Sequence, residues 1–206
     1  MKEKKPFIFK LARVVCTPLF KLLYRSEITN RNNIPPEGGY VLACNHQSYT
    51  DPVLLNIGQK RMIHFMAKEE LFRNKFFSAL IRSLGAFPVH RGGTGDRTAI
   101  NNAQKLLSDG RVLGIFPEGK RSKTGELLKL RAGAVMLASQ CGVPIVPACI
   151  TAKGGKIKMF NKTKITYGDP ISCEELGIKE GTGKELREAT KILSEKIAAI
   201  REKDKF

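Results

Sequence analysis

The 206-residue sequence lacks tryptophan altogether and contains only three histidines and five cysteines. The cysteines are scattered and odd in number, with no CxxC pair: Cys16, Cys44, Cys141, Cys149 and Cys173. This arrangement argues against a disulfide framework and against a structural metal site, and it suggests a reducing compartment. At this length the chain fits a single domain that can bury its own core without such staples.

Acidic residues are also scarce, with 19 Asp and Glu against 36 Lys and Arg and a net charge of +17. An acidic partner is therefore expected: nucleic acid, anionic lipid or a phosphorylated substrate. A basic surface that only keeps the protein soluble is the alternative. A nucleic-acid-binding module has only the charge in its favour, because the sequence has no tryptophan, no zinc-ligand spacing and no recognition-helix signature.

Long apolar helices are missing too. Residues 132–152 form an uncharged run of 21 residues, which by length alone would indicate a membrane span. Gly142 and the prolines that follow it break this run. The sequence therefore predicts a helix over residues 132–140, a buried strand over residues 143–150 and no transmembrane segment.

Residues 1–25 hold the densest positive charge, with seven Lys and Arg against one Glu. Apolar side chains recur in this segment at helical spacings, with Lys10, Arg13 and Lys21 among them. A basic amphipathic helix lying among lipid headgroups tolerates such charges, whereas a spanning helix does not. Pro18 lacks an amide hydrogen and is expected to split the segment into a helix pair. The segment is predicted to associate with membranes; an ordinary helix packed on its own domain is the alternative.

Short apolar runs follow along the rest of the chain, with helical patterns between most of them. The runs cover residues 40–44, 62–66, 84–89, 112–116 and 164–167. Strands that alternate with helices predict an α/β fold, with a mixed, largely parallel sheet flanked by helices. A polar amphipathic helix over residues 183–205 is expected to close the chain. Because no linker or internal repeat divides it, residues 26–206 are predicted to form one domain.

A histidine and an aspartate follow the first of these strands. Asp51-Pro52 is a strong helix start, and His46 lies five residues before the aspartate. Residues five apart in one regular helix point away from each other, so His46 and Asp51 can meet only across an irregular turn. If they meet, the carboxylate fixes the imidazole tautomer, the other ring nitrogen accepts a proton, and a substrate hydroxyl is the nucleophile. A structural histidine, or Ser48 as the nucleophile, is the alternative.

Two further apolar runs lead into polar clusters. One ends in Arg91 and a glycine-rich turn, and an arginine at a strand end suits a phosphate monoester. The other ends in Glu118-Gly119-Lys120-Arg121, where the glycine permits close approach of a ligand and the cations supply charge. Ligands of open α/β sheets gather beyond the strand ends, so these clusters are expected to form one site. A surface arginine and a basic turn are the simpler alternatives.

Together these segments resemble the glycerolipid acyltransferase family, and specifically its bacterial 1-acyl-sn-glycerol-3-phosphate acyltransferases. Four blocks in the family's order carry the resemblance: residues 45–51, 85–91, 116–122 and 143–147. Two positions depart from the family pattern. His90 stands where members often have an acidic residue, and Lys120 stands where threonine is usual.

The resemblance implies a role for each block. His46 is expected to be the general base and Asp51 its orienting partner. The implied substrate contacts are Lys68, Phe87, Arg91, Glu118, Gly119 and Arg121. Pro144 and Pro147 would shape the fourth block near the acyl-donor channel. No metal ion and no other cofactor is expected.

The activity that the resemblance implies is transfer of a fatty acyl group from acyl-CoA or acyl-carrier protein to the sn-2 hydroxyl of lysophosphatidic acid, making phosphatidic acid. Glycerol 3-phosphate or another lysophospholipid is the alternative acceptor. A nucleic-acid-binding module and a catalytically silent lipid-binding protein are the alternatives from other classes. The expected location is the cytoplasmic face of the cell membrane, as a peripheral or monotopic protein on an anionic surface, with no specific nucleic-acid partner.

Overall fold

The computed structural model describes residues 5–90 and 96–206, and within them a sheet of seven strands lies between two layers of helices. The strands are β1 (Ser26–Thr29), β2 (Tyr40–Cys44), β3 (Ile63–Lys68), β4 (Ala86–Val89), β5 (Val112–Ile115), β6 (Ile145–Ala152) and β7 (Thr163–Tyr167). The helices are α1 (Phe7–Leu23), α2 (Asp51–Gly58), α3 (Lys75–Ser83), α4 (Arg97–Ser108), α5 (Gly133–Cys141) and α6 (Gly183–Lys203).

The strand order is β1-β7-β6-β2-β5-β3-β4. Neighbouring strands are parallel except β6 and β7, which are antiparallel. The prediction of an α/β fold with a mixed, largely parallel sheet flanked by helices is confirmed. Because parallel strands end at the same edge of a sheet, the segments that follow β2, β5, β3 and β4 emerge side by side at one edge.

Strand β2 shows how the sequence covers this sheet on both faces. All five of its residues are buried. Tyr40, Leu42 and Cys44 belong to the core on the side of α2, while Val41 and Ala43 belong to the core that α4, α5 and α6 close. A parallel strand buried on both faces has no polar alternation, which is why this segment is apolar throughout.

Strand β1 was not predicted from the sequence. Its four residues, Ser-Glu-Ile-Thr, include a single apolar side chain, Ile28, and none of them is fully buried. The strand forms because it pairs in parallel with β7, more than 130 positions further along the chain. Local pattern carries no signal for such a partner.

The prediction of an N-terminal helix pair is wrong, because Phe7–Leu23 is one helix with Pro18 inside it. Pro18 has no N–H to donate to the carbonyl of Val14, but both residues lie on the exposed side of the helix, where water can bind that carbonyl. The opposite side of α1 packs on α2, and Phe9 is buried there. Large apolar side chains are left on the exposed side: Phe7, Ile8, Leu11, Val14, Val15, Leu19 and Leu22.

The uncharged run at residues 132–152 divides as predicted. Helix α5 ends at Gly142, which has a left-handed conformation with φ of 60°, and the buried strand β6 follows. All eight residues of β6 are buried in the middle of the sheet. Over the described ranges, no helix is both long enough and apolar enough to cross a bilayer.

Candidate active site

The loop between β2 and α2 brings His46 and Asp51 into contact. Nδ1 of His46 lies 2.7 Å from Oδ2 of Asp51. The aspartate side chain is almost fully buried, while the imidazole keeps 16% of its surface exposed. Residues 47–50 form an irregular turn between the two, which is the condition that their spacing imposed. The Nδ1 side of the ring is therefore held by Asp51, and part of the ring stays accessible to a ligand.

Asp51 organises this turn through the same carboxylate oxygen. Its Oδ2 also accepts hydrogen bonds from the backbone N–H groups of Gln47, at 2.7 Å, and Ser48, at 2.9 Å. Helix α2 begins at Asp51 as expected, but these amides precede the helix, and Thr50 occupies the N-cap position. The carboxylate thus caps the turn that carries His46 and not the amides of its own helix.

Asn45 ties the beginning of the loop to β6. Its Nδ2 donates to the carbonyl oxygen of Ile150 at 3.0 Å, and its Oδ1 accepts from the N–H of the same residue at 2.8 Å. Asn45 is buried, where an unpaired amide would be costly, and the backbone of Ile150 satisfies both its N–H and its oxygen. Sequence reasoning placed Asn45 in the first block without a role, and the structure gives it one in anchoring the loop.

The hydrogen bonds define which ring nitrogen of His46 can react. An ionised carboxylate only accepts hydrogen bonds, so Nδ1 carries the hydrogen and Nε2 presents its lone pair. The carboxylate also stabilises the positive charge that the ring acquires when Nε2 takes up a proton. The Ser48 hydroxyl, the alternative nucleophile, bonds instead to the Thr50 hydroxyl at 2.8 Å. The pair is therefore arranged as a general base for a hydroxyl group that comes from a ligand.

Phe116 supports the imidazole and was assigned no role from the sequence. The rings of His46 and Phe116 stack with centroids 4.1 Å apart and an interplanar angle of 15°. Phe65 of β3 also stacks with Phe116, with ring centroids 5.5 Å apart. Phe116 directly follows β5, and β5 lies next to β2, which leads into His46. The contact could be predicted only from the strand order, and local sequence does not reveal that order.

Glu118 lies beneath the His46 loop, with only 3% of its surface exposed. One carboxylate oxygen accepts from the backbone N–H of His46 at 2.7 Å, and the other accepts from the N–H of Leu128 at 3.0 Å. Burial raises the pKa of Glu118, and these two amide hydrogen bonds oppose that shift. On the other side of His46, its carbonyl oxygen accepts from the N–H of Ser122 at 2.7 Å. The third block therefore holds the backbone of the first.

The third block also contains a glycine and cationic side chains. Gly119 has a φ of 71°, and a Cβ there would stand 3.0 Å from the guanidinium group of Arg131. Arg121 is exposed, and its guanidinium carbon lies 3.5 Å from the centre of the Tyr49 ring, in the turn between His46 and Asp51. Tyr49 is 78% exposed. Tyr49 is a site residue that sequence reasoning missed, and Arg131 is a neighbour of Gly119 that it also did not name; only their positions in space indicate them.

Two other predicted contacts, Lys68 and Phe87, lie on β3 and β4. Lys68 ends β3 with its ammonium group exposed, 3.7 Å from the carboxylate of Glu70. Phe87 packs against the core closed by α4, on the face of the sheet opposite to the core that holds Phe116. The structure thus does not bring Phe87 to the His46 ring. Arg91 lies outside the described residues, and its role stays a prediction.

The buried thiols of Cys44 and Cys149 are poor nucleophiles. Burial raises the pKa of Cys149 to about 12 and that of Cys44 well above its ordinary value, which keeps both as thiols. In residues 5–90 and 96–206, no group of three or more His, Cys, Asp or Glu side chains could hold a metal ion. The chemistry available at this edge of the sheet is proton transfer by an imidazole beside exposed cations.

Comparison with known proteins gives the class to which this fold and site belong. The profile of the Acyltransferase family matches residues 25–151. That stretch contains the His46 loop and the segment from Phe116 to Arg121. The chain belongs to the Acyltransferase family, and its class of activity is that of an acyltransferase enzyme.

Individual relatives carry a more particular name. The chain is 36% identical over 148 residues to the 1-acyl-sn-glycerol-3-phosphate acyltransferase of Bacillus subtilis, which covers 70% of this chain and 73% of that protein. It is 27% identical over 174 residues to the enzyme of the same name from Streptococcus pneumoniae, covering 82% of this chain and 64% of that protein. The resemblance inferred from the four sequence blocks is confirmed.

A solved structure agrees over nearly the whole chain. The crystal structure of the 1-acyl-sn-glycerophosphate (LPA) acyltransferase PlsC from Thermotoga maritima superposes with a TM-score of 0.71 and 25% sequence identity. The match covers 96% of this chain and 78% of that one. The similarity therefore extends beyond the four blocks to the helices that surround the sheet.

Proposed function

We propose that the protein transfers a fatty acyl group from an acyl thioester, acyl-CoA or acyl-carrier protein, to the sn-2 hydroxyl of lysophosphatidic acid, making phosphatidic acid. The observation that carries this proposal is the 2.7 Å contact between His46 and Asp51, open on one side beside a basic loop. The names of the relatives from Bacillus subtilis and Streptococcus pneumoniae support the choice of acceptor.

In the proposed reaction, Nε2 of His46 removes the proton from the acceptor hydroxyl while its oxygen attacks the thioester carbonyl carbon. The tetrahedral intermediate collapses, the carbon–sulfur bond breaks, and the thiolate leaves and takes up the proton that His46 received. No acyl-enzyme forms. A well-placed general base of this kind contributes about 10²- to 10⁴-fold in rate.

Asp51, Phe116 and Glu118 act through His46 in this scheme. Asp51 fixes the tautomer, Phe116 supports the face of the ring, and Glu118 holds the backbone from which the ring projects. Both carboxylate oxygens of Glu118 are engaged by backbone amides, which favours this supporting role over the direct contact with substrate that the resemblance implied. The preorganised ring would then need little adjustment when the acceptor arrives.

The phosphate of the acceptor is proposed to lie against the cations at the same edge of the sheet. Arg121 can offer its guanidinium fork, Gly119 allows close approach of the backbone, and Lys68 can contribute from the end of β3. Arg91, which lies outside the described residues, is a further proposed cation. Arg121 is the best placed of them, because its partner Tyr49 belongs to the His46 turn. A phosphate monoester bound there would keep the sn-2 hydroxyl within reach of the imidazole.

The membrane is the proposed location of the reaction, at its cytoplasmic face. Helix α1 carries Lys10, Arg13 and Lys21 and exposes a row of large apolar side chains. Residues 1–25 are thereby suited to peripheral or monotopic binding on an anionic surface, with each cation near that surface contributing about 1 kcal/mol.

A thiol-release assay with acyl-CoA and lysophosphatidic acid, with mass analysis of the product, tests the proposal. The wild-type protein should release free CoA and form phosphatidic acid, and a His46→Ala variant with unchanged thermal unfolding should lose at least about 100-fold in kcat. Glycerol 3-phosphate and other lysophospholipids serve as competing acceptors. A folded His46→Ala protein with near-normal transfer would end the proposed mechanism.

A further inference from the structure

Helix α3 lies on the surface of the molecule. None of its nine residues, Lys75–Ser83, is buried against the part of the chain that the structure describes. Phe76 is 89% exposed, and Phe77 and Leu80 are each 45% exposed. Leu71, in the short helical turn that leads into α3, is 43% exposed. We call these four side chains the α3 patch.

The three members of the α3 patch that lie in the helix form one stripe. Residues three and four apart share one face of a helix, so Leu80 stands next to both Phe76 and Phe77. A helix of nine residues is marginal in water by itself and usually depends on an apolar stripe buried against its own domain. Here the stripe points outward, so these large apolar side chains stay in contact with water until something else covers them.

Charge indicates what covers them. Helix α3 contains Lys75 and Arg82 and no acidic residue, and Arg73 lies two positions before its first residue. Helix α1 likewise contains three cations and no acidic residue. The anions nearest to α3 in the sequence, Glu69 and Glu70, precede Leu71 and are paired with His90 and Lys68. Apolar side chains combined with cations and with no anion, as within α3 and α1, are the composition of a helix that lies in the headgroup region of an anionic bilayer.

The position of α3 agrees with such a partner. Helix α3 contacts α1, so the α3 patch lies close to the other helix that exposes large apolar side chains. Strand β3 ends at Lys68, at the edge of the sheet where His46 lies, and α3 begins seven residues later. A bilayer that covered both helices would therefore border the edge at which a lipid acceptor has to arrive.

We propose that α3 is a second lipid-contacting helix, and that the protein rests on an anionic bilayer through α1 and the α3 patch together. The inference rests on the proposed function for its setting at a lipid surface. It goes beyond that function because the sequence segment assigned to membrane binding ends at residue 25. Phe76 is the side chain expected to enter the acyl region most deeply, since it is the most exposed of the four.

The absence of tryptophan makes a direct test possible, because Phe76→Trp creates a single fluorescent reporter. With vesicles of equal parts phosphatidylglycerol and phosphatidylcholine, its emission should shift to shorter wavelength, and brominated acyl chains should quench it. Phe206→Trp is the matched control. Phe206 is 51% exposed, and its ring centre lies 5.7 Å from the ammonium nitrogen of Lys162, next to β7. Strand β7 is near the other end of the strand order from β4, against which α3 packs, so the emission of this control should not respond.

A loss-of-function variant completes the test. Phe76→Glu should weaken vesicle binding about tenfold or more, because a buried phenylalanine is replaced by a charge. A glutamate in the first turn of a helix favours the helix, so the fold should persist. Phe206→Glu should leave vesicle binding unchanged.

Three results would overturn the inference. The first is an unresponsive Phe76→Trp reporter on vesicles that still sediment the protein. The second is a shift that occurs without vesicles and grows with protein concentration, which would identify a second copy of the chain as the partner. The third is unchanged vesicle binding by Phe76→Glu. The two proposals can fail separately. If the proposed function is wrong, the wild-type protein will not acylate monomeric lysophosphatidic acid, while the Phe76→Trp fluorescence on vesicles is unaffected.

Discussion

The imidazole half and the cationic half of the candidate site are built in different ways. The backbone N–H, the backbone carbonyl and Nδ1 of His46 each have a hydrogen-bond partner 2.7 Å away, and its ring is stacked on Phe116. Arg121, in contrast, is exposed and rests on Tyr49, which is itself 78% exposed. The ammonium side chain of Lys68 is 51% exposed. The imidazole half is clamped by these contacts, whereas the cationic half is largely exposed to solvent.

The difference matches the demands of the two tasks. Proton transfer depends on a heavy-atom separation within hydrogen-bond reach, so a small displacement of the ring costs rate. Recognition of a phosphate depends on charge and on long side chains that can adjust to their ligand. The comparison predicts that variants of the imidazole half lower kcat, whereas variants of the cationic half raise KM.

The largest effect is expected from Asp51→Asn. The amide keeps an acceptor oxygen of similar shape but cannot stabilise an imidazolium ion, so kcat should fall about 10²- to 10⁴-fold. Steady-state kinetics with lysophosphatidic acid and acyl-CoA measure this, with KM nearly unchanged. Asp169→Asn, at an exposed aspartate, is the matched control and should behave as the wild type. If Asp51→Asn instead raised KM and left kcat unchanged, the proposed difference between the two halves would be wrong.

The next effect is expected from Arg121→Ala in the cationic half. Removing charge-assisted hydrogen bonds to a phosphate should raise KM for lysophosphatidic acid about 10- to 100-fold, with a much smaller change in kcat. The shift should be smaller for an acceptor without a phosphate monoester. Equal losses for both kinds of acceptor would show that Arg121 does not read the headgroup.

Glu118→Gln probes the clamp under His46. The amide can accept from only one of the two backbone N–H groups, so the free energy of unfolding should fall by about 1–3 kcal/mol and kcat by roughly tenfold. Glu126→Gln, at a glutamate whose side chain is 69% exposed and paired with Arg201, is the control and should change little. Chemical denaturation together with kinetics separates the two effects, and a rise in KM alone would favour direct substrate contact by Glu118.

The same variant has a pH signature. Burial raises the pKa of Glu118 in the folded state, so its contribution to stability is greatest below the ordinary glutamate pKa and is lost as the pH rises through the folded pKa. The difference in unfolding free energy between wild type and Glu118→Gln should therefore shrink as the pH is raised across this window. A difference that widens with pH would mean that the amide hydrogen bonds outweigh burial.

The smallest effect is expected from Tyr49→Ala. An exposed cation–π contact is worth about 0.5–1 kcal/mol, so KM should change by roughly two- to fivefold and kcat should not. Tyr49→Phe retains the ring and should resemble the wild type. A large fall in kcat would place Tyr49 in the clamped half instead.

Local sequence patterns predicted much of the fold, and the elements that were predicted wrongly or not at all have a physical explanation. Residues 40–44 coincide with β2, and Gly142 ends α5 where its conformational freedom predicts. Strand β1 was missed because its stability comes from β7, far away in the chain. The helix pair was predicted in error because Pro18 breaks only one hydrogen bond, on a side of α1 where solvent can replace it.

The site shows the same division. His46 and Asp51 could be named because both lie on one short loop, whose chemistry is a local property. Phe116, Tyr49 and Arg131 could not be named, because each matters only through a neighbour on another segment. Glu118 was named, but its engagement with the backbone of His46 was not foreseen. The α3 patch escaped notice because an apolar helical stripe looks the same in sequence whether it is buried or exposed.

The amino-acid sequence by itself determined the alternation of strands and helices, the basic character of the chain and the residues able to exchange a proton. These follow from side-chain chemistry and from periodicities that span a few residues. Only the tertiary structure decided that β5 lies between β2 and β3, which sets the third block beside the first although β3 and β4 separate them along the chain. Strand order depends on which apolar faces pack together across the whole domain, and that choice belongs to no single segment.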